Sequence, residues 1–464
     1  MPFLVEGVRV MIGAEYLVRT LMAYDVEKVF GVPAGGQHHF YNSIYDHPEI
    51  RHINFHCEWT ADAAAIGYAM TSHKPAILDG ESTHLATHTL RIYDAYARSI
   101  PVIILSFDKD RPGRSFSDYT VNRGIDPKIL FAPITKWRAR CNDISQLPWC
   151  INRAFNAATT GRPGPILLEI PIDVCKAEID APISVDDEYS RFPAYRLSPN
   201  LEKVNEIAQL LMKVGKMLII AGGGVCLSQA SNELVELAEL LGAPVATTLM
   251  AKGQIPETHP LSIGLLSFGI RDFRRFVAEV DLILLVGARS GWEDTMPVPV
   301  GVPEKNQKII HIDIDPDNIG RNYPHTTGLA ADAKLSLQAI NKALKNRFTK
   351  RPLKEIPVAT EISDIWRRRR ELIASAEAKA ANQVPISKLR LLKEVREVLP
   401  RDAVVQLAGG NMVYGQYKDF PFYPSNTHLY KGMASGTISL GFACVIGGAL
   451  AAPDRPAIFF SGRL

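Results

Sequence analysis

Short runs of β-branched and aliphatic residues alternate along the chain with longer stretches whose apolar residues recur every three or four positions. The first pattern is typical of buried strands and the second of amphipathic helices, so their alternation predicts parallel sheets covered by helices. A helix with apolar positions Leu17, Leu21 and Tyr24 precedes the first strand. The predicted strands are Lys28–Phe30, Ala76–Leu78, Val102–Leu105, Ile166–Ile170, Met217–Ala221, Pro244–Thr247, Asp281–Val286, Lys308–Ile314 and Ala403–Val405.

Two polar segments divide this pattern into three α/β units. The stretch from about residue 180 to 200 is rich in Asp, Pro and Ser and indicates a linker, and residues 346–385 are polar and charged. We therefore predict an α/β protein with three doubly wound parallel-sheet domains in tandem, the third of them incomplete. The predicted domains are residues 1–180, 195–345 and 385–464.

Composition narrows the class of protein. Hydrophobic residues make up 47%, charged residues 22%, and the net charge is only +3, so nothing suggests nucleic acid as a partner. The run Arg367–Arg370 could serve nuclear import or nucleic-acid binding, but a solvated helix face is the favoured interpretation. Six scattered cysteines without a CxxC pair argue against a disulfide framework or a zinc site. With no basic signal region and no uncharged apolar stretch of about 18 residues, we predict a cytoplasmic protein without a membrane partner.

The segment from Phe55 to Ala69 is the first whose residues suggest a chemical role. Glu58 stands where a strand should give way to a helix, and that helix is rich in Ala and Gly, so another backbone can approach it closely. Taken alone, the segment is more simply explained by core packing, with Glu58 favoured at the positive end of the helix dipole.

The same segment resembles the signature of thiamine-diphosphate-dependent enzymes of the acetohydroxyacid synthase and 2-oxo-acid decarboxylase family. Glu58 matches the glutamate of that signature and Gly67–Ala69 match its end, whereas Cys57 stands where many members have His. Weaker matches in the same order extend over almost the whole chain. They are Gly31–Gly36, Asp94–Tyr96, Pro133–Trp137, Gly161–Pro165, Ala251–Gly253, His311–Pro316, Gly441–Phe442 and Pro453–Pro456.

The resemblance implies an acetolactate synthase-like carboligase or decarboxylase that acts on a 2-oxo acid with thiamine diphosphate and Mg²⁺. Glu58 would be the catalytic carboxylate, because in the family this group hydrogen-bonds the pyrimidine ring of the cofactor and favours its reactive imino tautomer. In the family the glutamate of one subunit meets cofactor held by the last domain of its neighbour. A homodimer or homotetramer is therefore expected.

Cofactor contacts in the third domain also follow from the resemblance. Gly409, Gly410 and Asn411 would contact the diphosphate, although a plain strand-to-helix turn explains these residues equally well. Leu440 would wedge between the two cofactor rings, whereas periodicity alone would place it in a core.

The metal-binding motif departs from the family pattern. Arg463 stands where the family has the Asp that holds Mg²⁺, and the sequence ends at Leu464, before the Asn-Asn that should follow. We therefore expect a truncated family member without metal ligands. A non-catalytic protein with the family fold is the alternative to an active enzyme.

The substrate loop departs as well, because Ser82–Thr87 replaces the Gly-Pro-Gly-Ala-Thr-Asn common in the family. Histidines near this loop could hydrogen-bond a substrate, although satisfied surface or core histidines are at least as good an interpretation. They also motivate a third function, the hydrolysis of a cyclic 1,2-dione, which some relatives perform. The candidate pocket residues are Gly35, Gly36, Gln37, His38 and His84, with His39 beside them.

A structural FAD, which acetohydroxyacid synthases carry, has only a partial match. Val286–Arg289 fits the family sequence, but the residues after Arg289 differ. The run Gly222–Gly224 lacks the full GxGxxG spacing of a dinucleotide site. The sequence therefore favours a chain without FAD.

Overall fold

Two compact units make up the structure, a computed structural model of the chain. Their residues fall within 1–195 and 433–457 for the first unit, and within 196–432 and 458–464 for the second. Each unit is built on a six-stranded sheet, and the α/β class predicted from the sequence is confirmed. The three predicted domain boundaries stay predictions. The structure describes residues 10–81, 84–108, 126–265, 271–289, 307–345, 357–407, 427–429 and 441–461.

The first unit contains a fully parallel sheet, in the order β3-β2-β4-β5-β7-β6, and a small antiparallel pair, β1-β8. Its strands are Met11–Ile12 (β1), Lys28–Gly31 (β2), Arg51–Asn54 (β3), Ala76–Glu81 (β4), Val102–Asp108 (β5), Trp137–Arg140 (β6), Ile166–Pro171 (β7) and Glu178–Ile179 (β8). Its helices are Gly13–Ala23 (α1), His38–Tyr45 (α2), Glu58–Ser72 (α3), Leu85–Arg98 (α4), Pro127–Leu130 (α5), Leu147–Thr159 (α6), Ile172–Lys176 (α7) and Gly441–Ala451 (α15).

Helices cover both faces of this sheet. Val29 of β2 shares a core with Leu17 and Leu21 of α1, as the predicted apolar spacing of that helix requires. Phe30, the next residue of β2, packs instead against Tyr68 of α3, with ring centroids 5.4 Å apart. Because successive side chains of a strand point to opposite faces, α1 and α3 lie on opposite sides of the sheet.

The strand order has a reversal between β2 and β4. From β2 the chain moves outward to β3, then returns to form β4 on the other side of β2. In open parallel sheets, ligands bind outside the carboxyl ends of the strands at such a reversal. The carboxyl ends of β2 and β4 are therefore the place to look for a site in this unit.

The second unit repeats this architecture with the strand order β11-β10-β9-β12-β13-β14, parallel throughout. A further sheet has the order β16-β15-β17. The remaining strands are Met217–Ala221 (β9), Val245–Thr247 (β10), Ser262–Leu265 (β11), Leu282–Val286 (β12), Lys308–Asp313 (β13), Thr327–Ala330 (β14), Val404–Leu407 (β15), Thr427–Leu429 (β16) and Ala457–Phe460 (β17). The remaining helices are Leu201–Lys213 (α8), Gly223–Leu227 (α9), Ser231–Leu241 (α10), Arg271–Ala278 (α11), Ala333–Lys345 (α12), Pro357–Ala380 (α13) and Lys388–Val398 (α14).

The charged stretch before the predicted third domain forms α13. Ile362 and Ile365 are buried, and Trp366 donates its Nε1–H to the carbonyl oxygen of Ser262 at 2.6 Å. Arg367 and Arg370 are exposed, as expected of a solvated helix face. Among the described helices, this one included, none is both long and apolar enough to cross a membrane.

Candidate active site

Glu58 is the first residue of α3, directly after the extended residue Cys57. The helix follows β3, so Glu58 lies beyond the carboxyl end of that strand, at the same sheet edge as the ends of β2 and β4. A carboxylate in the first turn is also favoured by the positive end of the helix dipole. The carboxylate proposed from the sequence to be catalytic therefore lies at the edge where parallel sheets bind ligands.

The Glu58 carboxylate is partly shielded and open to a ligand. Its side chain is 23% exposed, and Oε1 lies 3.8 Å from Nδ1 of His84, which is 52% exposed. That separation is too long for a hydrogen bond. Within the described part of the chain, no side chain or backbone N–H donates to this carboxylate. It can therefore accept a hydrogen bond from a bound group.

A second carboxylate–imidazole contact lies one helical turn further along. Nδ1–H of His88 donates to Oδ1 of Asp62 at 2.6 Å, and both side chains are fully buried. Burial raises the pKa of Asp62, and the opposing effects of His88 and Arg91 do not cancel that rise. Burial lowers the pKa of His88, but the charge and hydrogen bond of Asp62, together with the charges of Glu58 and Asp79, raise it overall. We call the Glu58–His84 and Asp62–His88 contacts the outer and inner rungs of the α3–α4 ladder.

A polar network lies where β2 ends beside β4. The Tyr41 hydroxyl donates to Oδ2 of the buried Asp79 at 2.5 Å, and Nε2–H of His52 donates to its Oδ1 at 3.1 Å. Burial and the charge of Asp79 raise the pKa of Tyr41. Burial lowers the pKa of His52, but the hydrogen bond to Asp79, the charge of Asp79 and the hydrogen bond that Nδ1–H of His52 donates to Oδ1 of Asn54 raise it overall. Asp79 is thus held as a hydrogen-bonded carboxylate at the ligand-binding edge.

Gly35, Gly36 and Gln37, which the sequence places in a substrate pocket, form a 3₁₀ turn after β2. The Gln37 side chain points into the protein, where its Oε1 accepts from the backbone N–H of Ala34 at 3.2 Å. The same oxygen lies against the Tyr41 hydroxyl oxygen, whose proton is donated to Asp79. The buried Nε2 of Gln37 has no partner among the described residues. That these residues contact substrate stays a prediction, with the Gln37 amide as an available donor.

The candidate histidines do not gather at one point. His84 directly precedes α4 and lies beside Glu58, whereas Nδ1 of the exposed His38 lies 3.0 Å from the carbonyl oxygen of Gly35 in its own turn. The rings of His38 and His39 are 4.0 Å apart between centroids. Burial, His38 and Lys176 lower the pKa of His39. Of the predicted pocket histidines, His84 is the one that the structure brings to Glu58.

The diphosphate half of the predicted site is not among the residues that the structure describes. Gly409, Gly410, Asn411 and Leu440 all lie outside them, as does Arg463. The cofactor contacts assigned to these residues therefore stay predictions.

The small residues of α3 allow the backbone of another helix to approach closely, as expected from the sequence. Helix α15 lies against α3 so closely that a Cβ at Gly67 would overlap the carbonyl oxygen of Cys444. Likewise, a Cβ at Gly447 would overlap the carbonyl oxygen of Ala64. The alanines and glycines of the signature are thus explained by close helix packing, in addition to any cofactor role.

The glycine run considered for FAD also has a packing role. The backbone N–H of Gly222 donates to the carbonyl oxygen of Val286 at 2.9 Å, and that of Gly224 donates to Gly287 at 2.9 Å. Side chains at either position would overlap the Gly287 backbone. The glycines are therefore accounted for without a dinucleotide, while residues 290–306, which the flavin comparison also needs, lie outside the described residues.

Sequence reasoning missed Asp62, His88, Asp79, Tyr41 and His52. Asp62 and His88 could have been found from their spacing. Asp62 is four residues after Glu58 on one predicted helix, and His88 is four residues after His84 in the next candidate segment, so each pair lies on one helix face. Asp79, Tyr41 and His52 lie on three different elements, and no local pattern connects them.

Comparison with known proteins supports the resemblance. Residues 11–127 match the N-terminal TPP binding domain of thiamine pyrophosphate enzymes, and residues 204–340 match the central domain of these enzymes. A probable acetolactate synthase large subunit from Methanocaldococcus jannaschii is 32% identical over 97% of this chain and 76% of its own length. Acetolactate synthase isozyme 1 large subunit from Escherichia coli is 30% identical, again over 97% of this chain and 76% of its own length.

A solved structure shares the fold. An X-ray structure from Mycobacterium smegmatis, described as that of a thiamin diphosphate-dependent enzyme, covers 97% of this chain and 82% of its own, with a TM-score of 0.79. At 21% identity this likeness shows the fold alone. Taken with the domain matches and the sequence relatives, it leads to one conclusion: the chain belongs to the thiamine pyrophosphate enzyme family, among the relatives of acetolactate synthase.

Proposed function

We propose that this protein is a thiamine-diphosphate-dependent carboligase or decarboxylase that acts on a 2-oxo acid, as acetolactate synthases do. One observation carries the proposal. Glu58 begins α3 at the ligand-binding edge, and its carboxylate has no hydrogen-bond donor among the described residues. The likeness to proteins named acetolactate synthase supports the substrate class.

The environment of Glu58 fits the pyrimidine half of the cofactor. A partly shielded carboxylate without a protein donor suits a ring that offers an N–H, and the two together favour one protonation state of the ring. When bound, the cofactor would supply the electron sink that decarboxylation of a 2-oxo acid requires. His84, at 3.8 Å, would hold or release a proton beside the same carboxylate. Gly409, Gly410 and Asn411, which the resemblance assigns to the diphosphate, lie outside the described residues.

A second copy of the chain is the partner that we propose. Four large apolar side chains are exposed on α3 and on the two helices that pack against it, α4 and α15. Exposed apolar patches of this kind mark interaction surfaces in soluble proteins. The side chains are Trp59, Leu90, Tyr93 and Phe442.

Calorimetric titration of the purified chain with thiamine diphosphate and Mg²⁺ tests the cofactor, and carbon dioxide release from pyruvate tests the reaction. We expect binding with an affinity on the order of micromolar. The matched variant Glu58→Gln keeps the side-chain shape but should lower turnover about 10²–10⁴-fold. Cyclohexane-1,2-dione in the same assay tests the hydrolase alternative. Wild-type protein that gives no binding heat would overturn the proposal and favour a non-catalytic family member.

A further inference from the structure

The two rungs of the α3–α4 ladder differ in a way that points to different roles. The outer rung, Glu58–His84, is open at 3.8 Å, whereas the inner rung, Asp62–His88, is closed at 2.6 Å with both side chains fully buried. Oδ2 of Asp62 and Nε2 of His88 have no partner among the described residues. A buried polar pair with unsatisfied atoms is commonly no more stable than an apolar pair of similar size, so stability alone does not explain it.

Burial does not determine how α3 is rotated about its own axis. Every residue from Ala61 to Met70 is buried, so the helix has no single apolar face to turn toward the core. On the α15 side the contact needs glycine at positions 67 and 447, so it restricts rotation at that level of the helix, but Gly67 lies about two and a half turns from Glu58. A directional hydrogen bond is the kind of contact that can select one rotation among several with similar burial.

We propose that Asp62 and His88 are positioning residues, whose hydrogen bond fixes the rotation of α3 and so aims the Glu58 carboxylate. Glu58 lies four residues before Asp62, on the same side of the helix. A rotation of α3 that breaks the inner rung also carries Glu58 away from His84. The proposal rests on the catalytic role proposed above for Glu58.

The neighbours of the inner rung suggest which substitutions will be informative. Arg91, paired with Asp94 at 2.8 Å on α4, also stabilises the charge of Asp62. Asn at position 62 loses that charge but keeps an oxygen that can accept from Nδ1–H of His88. Leu at both positions 62 and 88 removes the hydrogen bond while roughly preserving volume, without leaving an unpaired buried charge.

The experiment compares wild type, Asp62→Asn and the double variant Asp62→Leu/His88→Leu as full chains. Thermal unfolding reports stability, and alkylation of Cys57 by iodoacetamide, followed by mass spectrometry, reports the first turn of α3. Cys57 is a half-buried free thiol next to Glu58, so its alkylation rate depends on the rotation of the helix. Titration with thiamine diphosphate and Mg²⁺ gives the third measurement.

We expect the leucine pair to unfold near the wild-type temperature, yet to alkylate Cys57 at a clearly different rate and to bind thiamine diphosphate about tenfold or more weakly. Asp62→Asn should resemble wild type in both measurements. A leucine pair with wild-type alkylation and wild-type affinity would overturn the proposal. If the leucine pair does not fold, Asp62→Ala takes its place. In that case a Cys57 alkylation rate equal to that of Asp62→Asn overturns the proposal. Absence of cofactor binding by wild type would instead count against the proposed function, since the alkylation rates test positioning without cofactor.

Discussion

Gly67 of α3 and Gly447 of α15 each face the backbone of the other's helix, where a Cβ would overlap a carbonyl oxygen. The contact therefore depends on the absence of two side chains. It also determines how closely α15 can approach α3, the helix that begins at Glu58.

Gly67→Ala should lower the free energy of unfolding of the first unit by about 1–3 kcal/mol, because the added methyl forces the two backbones apart. An alanine in a helix interior would otherwise gain up to about 1 kcal/mol over glycine, so a loss identifies the steric contact. Urea unfolding measures the change. Gly35→Ala is the control, because nothing lies within 4 Å of a Cβ there. A stabilised Gly67→Ala would contradict the close packing.

The His52–Asp79 hydrogen bond should make stability depend on pH. The pKa of His52 is raised above its ordinary value of 6.5, so its contribution is fully present below about pH 6.5 and is lost as the pH rises through the raised pKa. His52→Gln should therefore cost about 1.5–3 kcal/mol near pH 5.5 and less near pH 8.5. Urea unfolding at the two pH values checks this, with the exposed His38→Gln as control. If His52→Gln instead lowers the free energy of unfolding more at the higher pH, the pKa of His52 is not raised by folding.

Lys252 and Glu257 form a buried ion pair in the second unit, with Nζ 2.6 Å from both carboxylate oxygens and side chains 0% and 6% exposed. Glu257→Leu should lower the free energy of unfolding by about 3–5 kcal/mol, because it takes the carboxylate away from a buried ammonium. Lys203→Ala, which breaks an exposed pair with Glu206, should change it by less than about 1 kcal/mol. Equal effects of the two substitutions in thermal or urea unfolding would refute the burial argument.

Phe442 and Trp59 should contribute to self-association if the exposed apolar patch is the contact between copies. Phe442→Ser and Trp59→Ser should each shift sedimentation velocity profiles toward the monomer, while the unfolding temperature of the monomer stays nearly unchanged. Tyr45→Ser, at another exposed aromatic residue of the same unit, is the control. Unchanged association in both variants would exclude this patch as the interface.

The strands that the apolar pattern predicts all overlap observed strands, and those that it misses in the two large sheets share one property. They are β3, β6, β11 and β14, the edge strands of the two sheets. Central strands are covered on both faces and appear in the sequence as continuous apolar runs. An edge strand tolerates polar residues, so its apolar run is interrupted. Arg51–Asn54 and Trp137–Arg140 carry too few apolar residues to be recognised.

The candidate site was predictable where a local motif carries it and not where distant elements meet. Glu58 stands in a recognisable segment, and the structure places it at the ligand-binding edge. The inner rung depends on how α3 is rotated against α4, which periodicity cannot determine for a helix that is buried all round. The Asp79 network joins side chains from α2, β3 and β4, so it exists only in the assembled fold.

The first unit is discontinuous in sequence, because α15 belongs to it while most of the second unit intervenes. During synthesis, domains generally fold in the order in which they leave the ribosome, and contacts between distant segments form late. Helix α3 can dock its first partners early but must wait for α15 until the second unit has been translated. The helix that begins at Glu58 therefore becomes fully covered only after most of the second unit has been synthesised.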